Sequence, residues 1–195
     1  MYTRARRHQR NVRPVLIPGL STSFFARITD PKKGGVAMAN IFSGSEIVQL
    51  GIEIEKNGKD FYDVLVRQLK NRKVRGVFEY LAGEEEKHIA TFQKILDKLE
   101  KYQPPESYPG EYFAYMNALA GDYVFTQKNK GKEIAKRITG DKEAVDTGMG
   151  FEKDSILFYQ GMKKVVPEHD HEVLDELIGQ EQDHLRQLSD LKKAL

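Results

Sequence analysis

Two distant segments of this chain, GEEEKH at residues 83–88 and GQEQDH at 179–184, share the order Gly-x-Glu-x-x-His. On a helix this puts Glu85 with His88, and Glu181 with His184, one turn apart on a single face. One such pair alone reads as a solvated face, because Glu and Lys are good helix formers and charge runs commonly point at water. A second duplication changes that reading. GIEIEKNGKDFY at 51–62 and GMGFEKDSILFY at 148–159 share small-x3-Glu-x2-small-x3-Tyr, carried by Gly51, Glu55, Gly58 and Tyr62 and by Gly148, Glu152, Ser155 and Tyr159. At ~100° per residue these positions form one helical stripe, bordered by the apolar Ile54 and Phe151. Four helices therefore each aim a carboxylate at a shared interior. A buried carboxylate is costly unless it is paired or bound to a metal.

The hydrophobic pattern supplies the four helices. The first starts near Ser43, with Ser43 or Ser45 as N-cap and Glu46 in the capping-box position, and buries Ile47, Leu50, Ile54, Phe61, Leu65 and Leu69. The second spans about 73–102 and ends before Pro104, Pro105 and Pro109, which forbid continuation. The third spans about 141–166, and Pro167 is expected to open the fourth, which runs close to the C-terminus. Short links make two antiparallel hairpins. The long connection over 103–140 holds an aromatic piece in which Phe113, Tyr115, Tyr123 and Phe125 read as packing residues. The expectation is an all-α chain: a four-helix bundle with one long crossover between helices two and three.

Composition narrows the chemistry. The 195 residues contain no cysteine, which excludes disulfides, thiolate metal sites and cysteine nucleophiles within them. The formal net charge of +2 is uneven: residues 1–37 hold eight basic residues against Asp30, leaving 23 basic and 28 acidic residues in 38–195. The body is thus mildly acidic, which argues against nucleic acid as its partner. No apolar run suits a membrane helix, so a cytoplasmic location is expected. Residues 1–37 read as a disordered basic tail, either a transit peptide or an arm for nucleic acid or an anionic surface. A third reading is that the tail is upstream translation, since Lys33-Gly34-Gly35-Val36-Ala37-Met38 can be encoded with a bacterial ribosome-binding sequence before a start at Met38. The folded domain is expected over 38–195.

The six residues Glu55, Glu85, His88, Glu152, Glu181 and His184 divide into two metal positions. Each would have one His and one Glu, with two carboxylates left to bridge. Oxygen-rich sites with one imidazole per ion suit iron, or manganese, better than a closed zinc site. His169 and His171 read as surface residues, and Glu84, Glu86 and Asp183 as solvated neighbours.

Across residues 45–195 this order of motifs resembles the rubrerythrin family of ferritin-like di-iron carboxylate proteins. The resemblance implies that the two Glu-x-x-His pairs are ligands and that Glu55 and Glu152 bridge. It also implies that Tyr62 and Tyr159 donate hydrogen bonds to the carboxylates, although core packing is a competing reading for both. The implied activity is reduction of hydrogen peroxide, or of dioxygen, by a di-iron oxidoreductase. Two departures matter. The family pattern carries a further Glu where this chain has Ser155, and these residues include no four-cysteine rubredoxin module. Electrons must then come from a separate donor such as a rubredoxin. A ferroxidase that handles iron as substrate is the alternative, and a metal-free structural bundle a third reading. Self-association into a homo-oligomer is expected.

Overall fold

The computed structural model describes residues 44–101 (the side chains of 100 and 101 excepted), 115–116, 118–119, 126–164 and 166–195. The basic tail, Ser43, the proline-rich break, and Phe113, Tyr123 and Phe125 lie outside these residues. The described residues form helices and turns with no strand. Helix α1 spans Gly44–Gln68, α2 Arg72–Lys101, α3 Lys130–Ala135, α4 Asp141–Met162 and α5 His171–Lys193. Among the described residues, no helix is long and apolar enough to cross a membrane.

Helices α1 and α2 pack closely as one hairpin, and α4 and α5 as the other. The hairpins meet through α1 against α4 and α2 against α5, while short α3 lies on α1. Asn71 starts α2: its Oδ1 accepts the backbone N–H of Lys73 at 3.0 Å and of Val74 at 3.4 Å, satisfying two otherwise orphaned donors. The core joins the hairpins through fully buried Phe61, Phe78, Phe92, Phe158, Leu65 and Ile95. Phe61 meets Phe151 edge to face at 5.0 Å, an arrangement aromatic quadrupoles favour.

Two helix boundaries differ from the sequence expectation. Helix α4 stops at Met162 rather than near Val166. Pro167 does not open the fourth helix: its ψ of 148° is extended, and a 3-10 turn over Glu168–Asp170 precedes α5. The reason lies in Asp170, which is fully buried and takes the Lys98 ammonium at 2.6 Å. That pair ties the turn to α2, and the helix begins only after it.

The crossover is pinned by a residue inside α1. Asn57 is 1% exposed. Its amide donates to the carbonyls of Gln127 and Glu53, each at 3.0 Å, and its Oδ1 accepts the Gly131 N–H at 2.9 Å. A Cβ at position 131 would overlap the Asn57 backbone carbonyl, so only glycine allows α3 this close to α1.

Candidate metal centre

The six expected residues meet in the bundle interior. Glu55 comes from α1, Glu85 and His88 from α2, Glu152 from α4, and Glu181 and His184 from α5. None is more than 3% exposed. Two overlapping groups result: Glu55, Glu85, His88 and Glu181, and Glu85, Glu152, Glu181 and His184, with one donor atom per residue lying within 4.8 Å of the others.

The carboxylates common to both groups are Glu85 and Glu181. The expectation named Glu55 and Glu152 as the bridging pair, whereas here each of those two belongs to one group alone. The cause is the pairing of α2 with α5, which brings the two Glu-x-x-His segments face to face. His88 and His184 stack at 5.5 Å with planes 19° apart, and Glu181 reaches across to His88 as well as along its own helix to His184. Glu55 and Glu152 stand at the outer ends.

Donor atoms converge on common points rather than pairing off. His88 Nδ1 lies 2.9 Å from Glu181 Oε1, 3.2 Å from Glu85 Oε2 and 3.5 Å from Glu55 Oε1. Yet His88 Nδ1, Glu85 Oε2 and Glu181 Oε1 are all buried without a hydrogen bond of proper geometry. Orphaned buried polar atoms are costly, and a cation between them removes that cost. His184 Nδ1 takes the matching place, 3.2 Å from Glu181 Oε2 and 3.8 Å from Glu152 Oε2. The donor set of carboxylates with one imidazole per group fits iron.

Surrounding residues hold these donors. Tyr62 donates its hydroxyl to Glu152 and Tyr159 to Glu55, so each tyrosine crosses to the other hairpin's carboxylate. Burial, then the Glu152 charge, pushes the Tyr62 phenol well above its usual range; burial and Glu55 do the same to Tyr159. Both therefore remain donors. The outer nitrogen of His88, Nε2, donates to Gln180 Oε1 at 2.8 Å, leaving Nδ1 as the nitrogen that faces the carboxylates.

Close packing drives the carboxylates apart in their affinity for protons. Burial, then Glu55 and Glu181, raises Glu85 well above the ordinary range, and burial with Glu181 lifts Glu152 to about 8. Burial acts to raise Glu181 too, but the His184 hydrogen bond and the adjacent His88 ring prevail and hold it below the ordinary range. For His184, burial favours the neutral ring, and the pull of Glu152 and Glu181 overrides it to about 9. Burial also opposes a charged His88, and the Glu55 charge with the adjacent Glu181 carboxylate raises it far above 6.5.

The glycines of the two Gly-x-Glu-x-x-His segments take no part. A Cβ on Gly83 or Gly179 meets nothing within 4 Å. Gly58 and Gly148 do border the site, against the Glu85 side chain at 3.5 Å and the Tyr62 hydroxyl at 3.2 Å. Two contributors escaped sequence reasoning. Gln180 had a faint signal, a neutral amide where the other copy has Glu84. Asn57 had a clearer one, since Asn-Gly inside a helix is locally unfavourable and calls for a tertiary reason.

A search among curated proteins finds no significant match. A protein from Thermotoga maritima described as ferritin-like and diiron-carboxylate has a similar structure, with TM-score 0.57 and 25% identity over 78% of this chain and 95% of that one. The rubrerythrin profile matches residues 46–192, a span that holds all six clustered acids and imidazoles. With that match over most of its length and this buried centre, the chain belongs to the rubrerythrin family.

Proposed function

We propose that this chain is a di-iron oxidoreductase of rubrerythrin type that reduces hydrogen peroxide with electrons from a separate donor protein. The observation that carries the proposal is the pair of ligand groups sharing Glu85 and Glu181, with His88 Nδ1 and two carboxylate oxygens buried and unbonded. In this reading Glu55 and Glu152 are outer ligands, His88 and His184 supply one imidazole each, and manganese is the alternative ion. When bound, two ferrous ions supply the two electrons that convert peroxide and two protons to two waters.

The protein's own part is position, enclosure and proton placement. Tyr62 fixes Glu152 through the oxygen turned away from His184, and Tyr159 fixes Glu55 through the oxygen nearest His88 Nδ1. The Gln180 bond sets the His88 tautomer so that Nδ1 can ligate. Exposures of 3% or less at all six ligands suit resident ions met by a small neutral oxidant. A surface cavity of about 490 Å³ beside α1 and α2 includes none of the six. The absence of cysteine from these residues calls for an outside donor such as a rubredoxin.

One observation favours a second reading. Ser155, buried on α4 one turn after Glu152, stands where the family pattern has a further carboxylate. Without that ligand, a ferroxidase that turns over Fe(II) with dioxygen becomes the competing activity. Stopped-flow oxidation of the Fe(II)-loaded protein separates them. The proposal expects two ferrous ions per chain to be oxidised much faster by peroxide than by dioxygen. Faster oxidation by dioxygen, with added Fe(II) consumed beyond two per chain, overturns it.

A further inference from the structure

We propose that Tyr80 is the residue through which electrons from the external donor enter the metal centre. The inference rests on the peroxide-reducing reading, which requires such a donor. Tyr80 lies on α2 and is 50% exposed. Its ring meets the His184 imidazole edge to face, with centroids 6.3 Å apart and planes at 88°. His184 is 2% exposed, and its Nδ1 faces Glu152 and Glu181. One aromatic contact thus links solvent to a buried imidazole of the cluster.

Packing alone gives little reason for this ring. Half of its surface stays in water, so it contributes only part of the burial energy an interior aromatic supplies. A rigid, flat, amphipathic ring at the surface does suit a transient partner, because it offers contact area at small entropy cost. Electron-transfer encounters bury little surface, and one such ring is a substantial part of it. The path continues inward to His88, whose ring stacks on that of His184 with centroids 5.5 Å apart, and so reaches both ligand groups. The other outlet, from His88 Nε2 to the exposed Gln180, ends on an amide and offers a donor no aromatic surface.

The step balances simply. Two donor molecules each lose one electron, the oxidised centre gains two, and no atom is transferred. Tyr80 is neither oxidised nor reduced; its ring is the medium the electron crosses. The ring is therefore required and the hydroxyl is not.

The test is single-turnover reduction of the peroxide-oxidised, iron-loaded protein by hexaammineruthenium(II), an outer-sphere one-electron reductant, followed optically. Tyr80→Leu should slow reduction severalfold, and Tyr80→Phe should retain the parent rate. Iron content, midpoint potential and the rate of peroxide oxidation should be unchanged in both, which a merely structural role of Tyr80 would not predict. Tyr80→Met, which fills the space without a ring, replaces the leucine variant if that one loses iron. An unchanged reduction rate in the ringless variant overturns the inference. If the parent protein's iron is not oxidised by peroxide at all, the peroxide-reducing reading has failed, an outcome visible before any Tyr80 variant is made.

Discussion

In the α1–α2 hairpin, Glu85 sits against Glu55 and is pushed toward its protonated form by burial and that neighbouring charge. In the α4–α5 hairpin, the equivalent Glu181 lies between His88 and His184 and is held ionised by both. The motifs are the same and the helical stripes are the same. What differs is the partner reached across the bundle, because His88 leans toward Glu181 more closely than toward its own Glu85, 2.9 Å against 3.2 Å. A duplicated motif specifies which face a ligand occupies, whereas packing between the copies decides which ligand is shared and which carries a proton.

The largest effect expected from this difference follows loss of a shared carboxylate. Glu181→Ala removes a donor from both groups and leaves His88 and His184 without their common partner, so iron binding at both positions should be lost. Glu55→Ala touches one group only and should leave about one tightly bound ion per chain. Metal analysis after desalting reads the difference. Equal loss in the two variants would mean that the groups bind as one indivisible unit.

The crossed tyrosines probe the same geometry more gently. Tyr62→Phe and Tyr159→Phe each leave one outer carboxylate short of a donor while keeping the ring in the core. Loss of such outer hydrogen bonds typically weakens metal affinity by about 10–100-fold. Because Tyr62 serves Glu152 and Tyr159 serves Glu55, each variant should weaken the ion held mainly by the opposite hairpin. Competition with a chelator, read site by site through the iron spectrum, would show whether the crossing holds in solution.

How much of this was legible beforehand depended on which kind of contact was involved. Glu55, Glu85, His88, Glu152, Glu181 and His184 could be placed on inward stripes from spacing alone, since helical period is a property of one segment. Which carboxylates the two groups share could not, because that depends on the relative level of α2 and α5. The late start of α5 was hidden for a similar reason. Pro167 does signal a restart, but the extra turn exists for the Lys98–Asp170 pair, and Lys98 is 72 residues away in sequence. Asn57 belongs to the same class, as its partners lie in the crossover.

Asn57 also marks the hairpins' sharpest asymmetry in stability. The matching position in the second copy is Asp154, which is exposed. Asn57→Ala strands the buried Gly131 N–H and removes one of two bonds to the Gln127 carbonyl, and should cost about 1–3 kcal/mol. Asp154→Ala should fall within about 0.5 kcal/mol of the parent, as surface changes usually do. Urea unfolding of the two variants measures both. Similar losses at the two positions would show that the second copy carries a comparable clamp.

The smallest effect is expected where the copies agree most closely in sequence and least in purpose. Gly83 and Gly179 open both Gly-x-Glu-x-x-His segments, yet each is solvent-facing in mid-helix, with open space where a Cβ would project. Alanine at either position should remove the entropic penalty of a helical glycine and stabilise the fold by about 0.5–1 kcal/mol. Iron content should not change. Gly51 is the contrast, because a Cβ there would come 2.8 Å from the Met162 Cε and force that side chain to move. Thermal unfolding of Gly83→Ala and Gly179→Ala, with metal analysis alongside, therefore separates shared letters from shared function. A fall in iron content in either variant would make the glycine part of the centre, and the duplication would then extend beyond the ligands and the stripes that carry them.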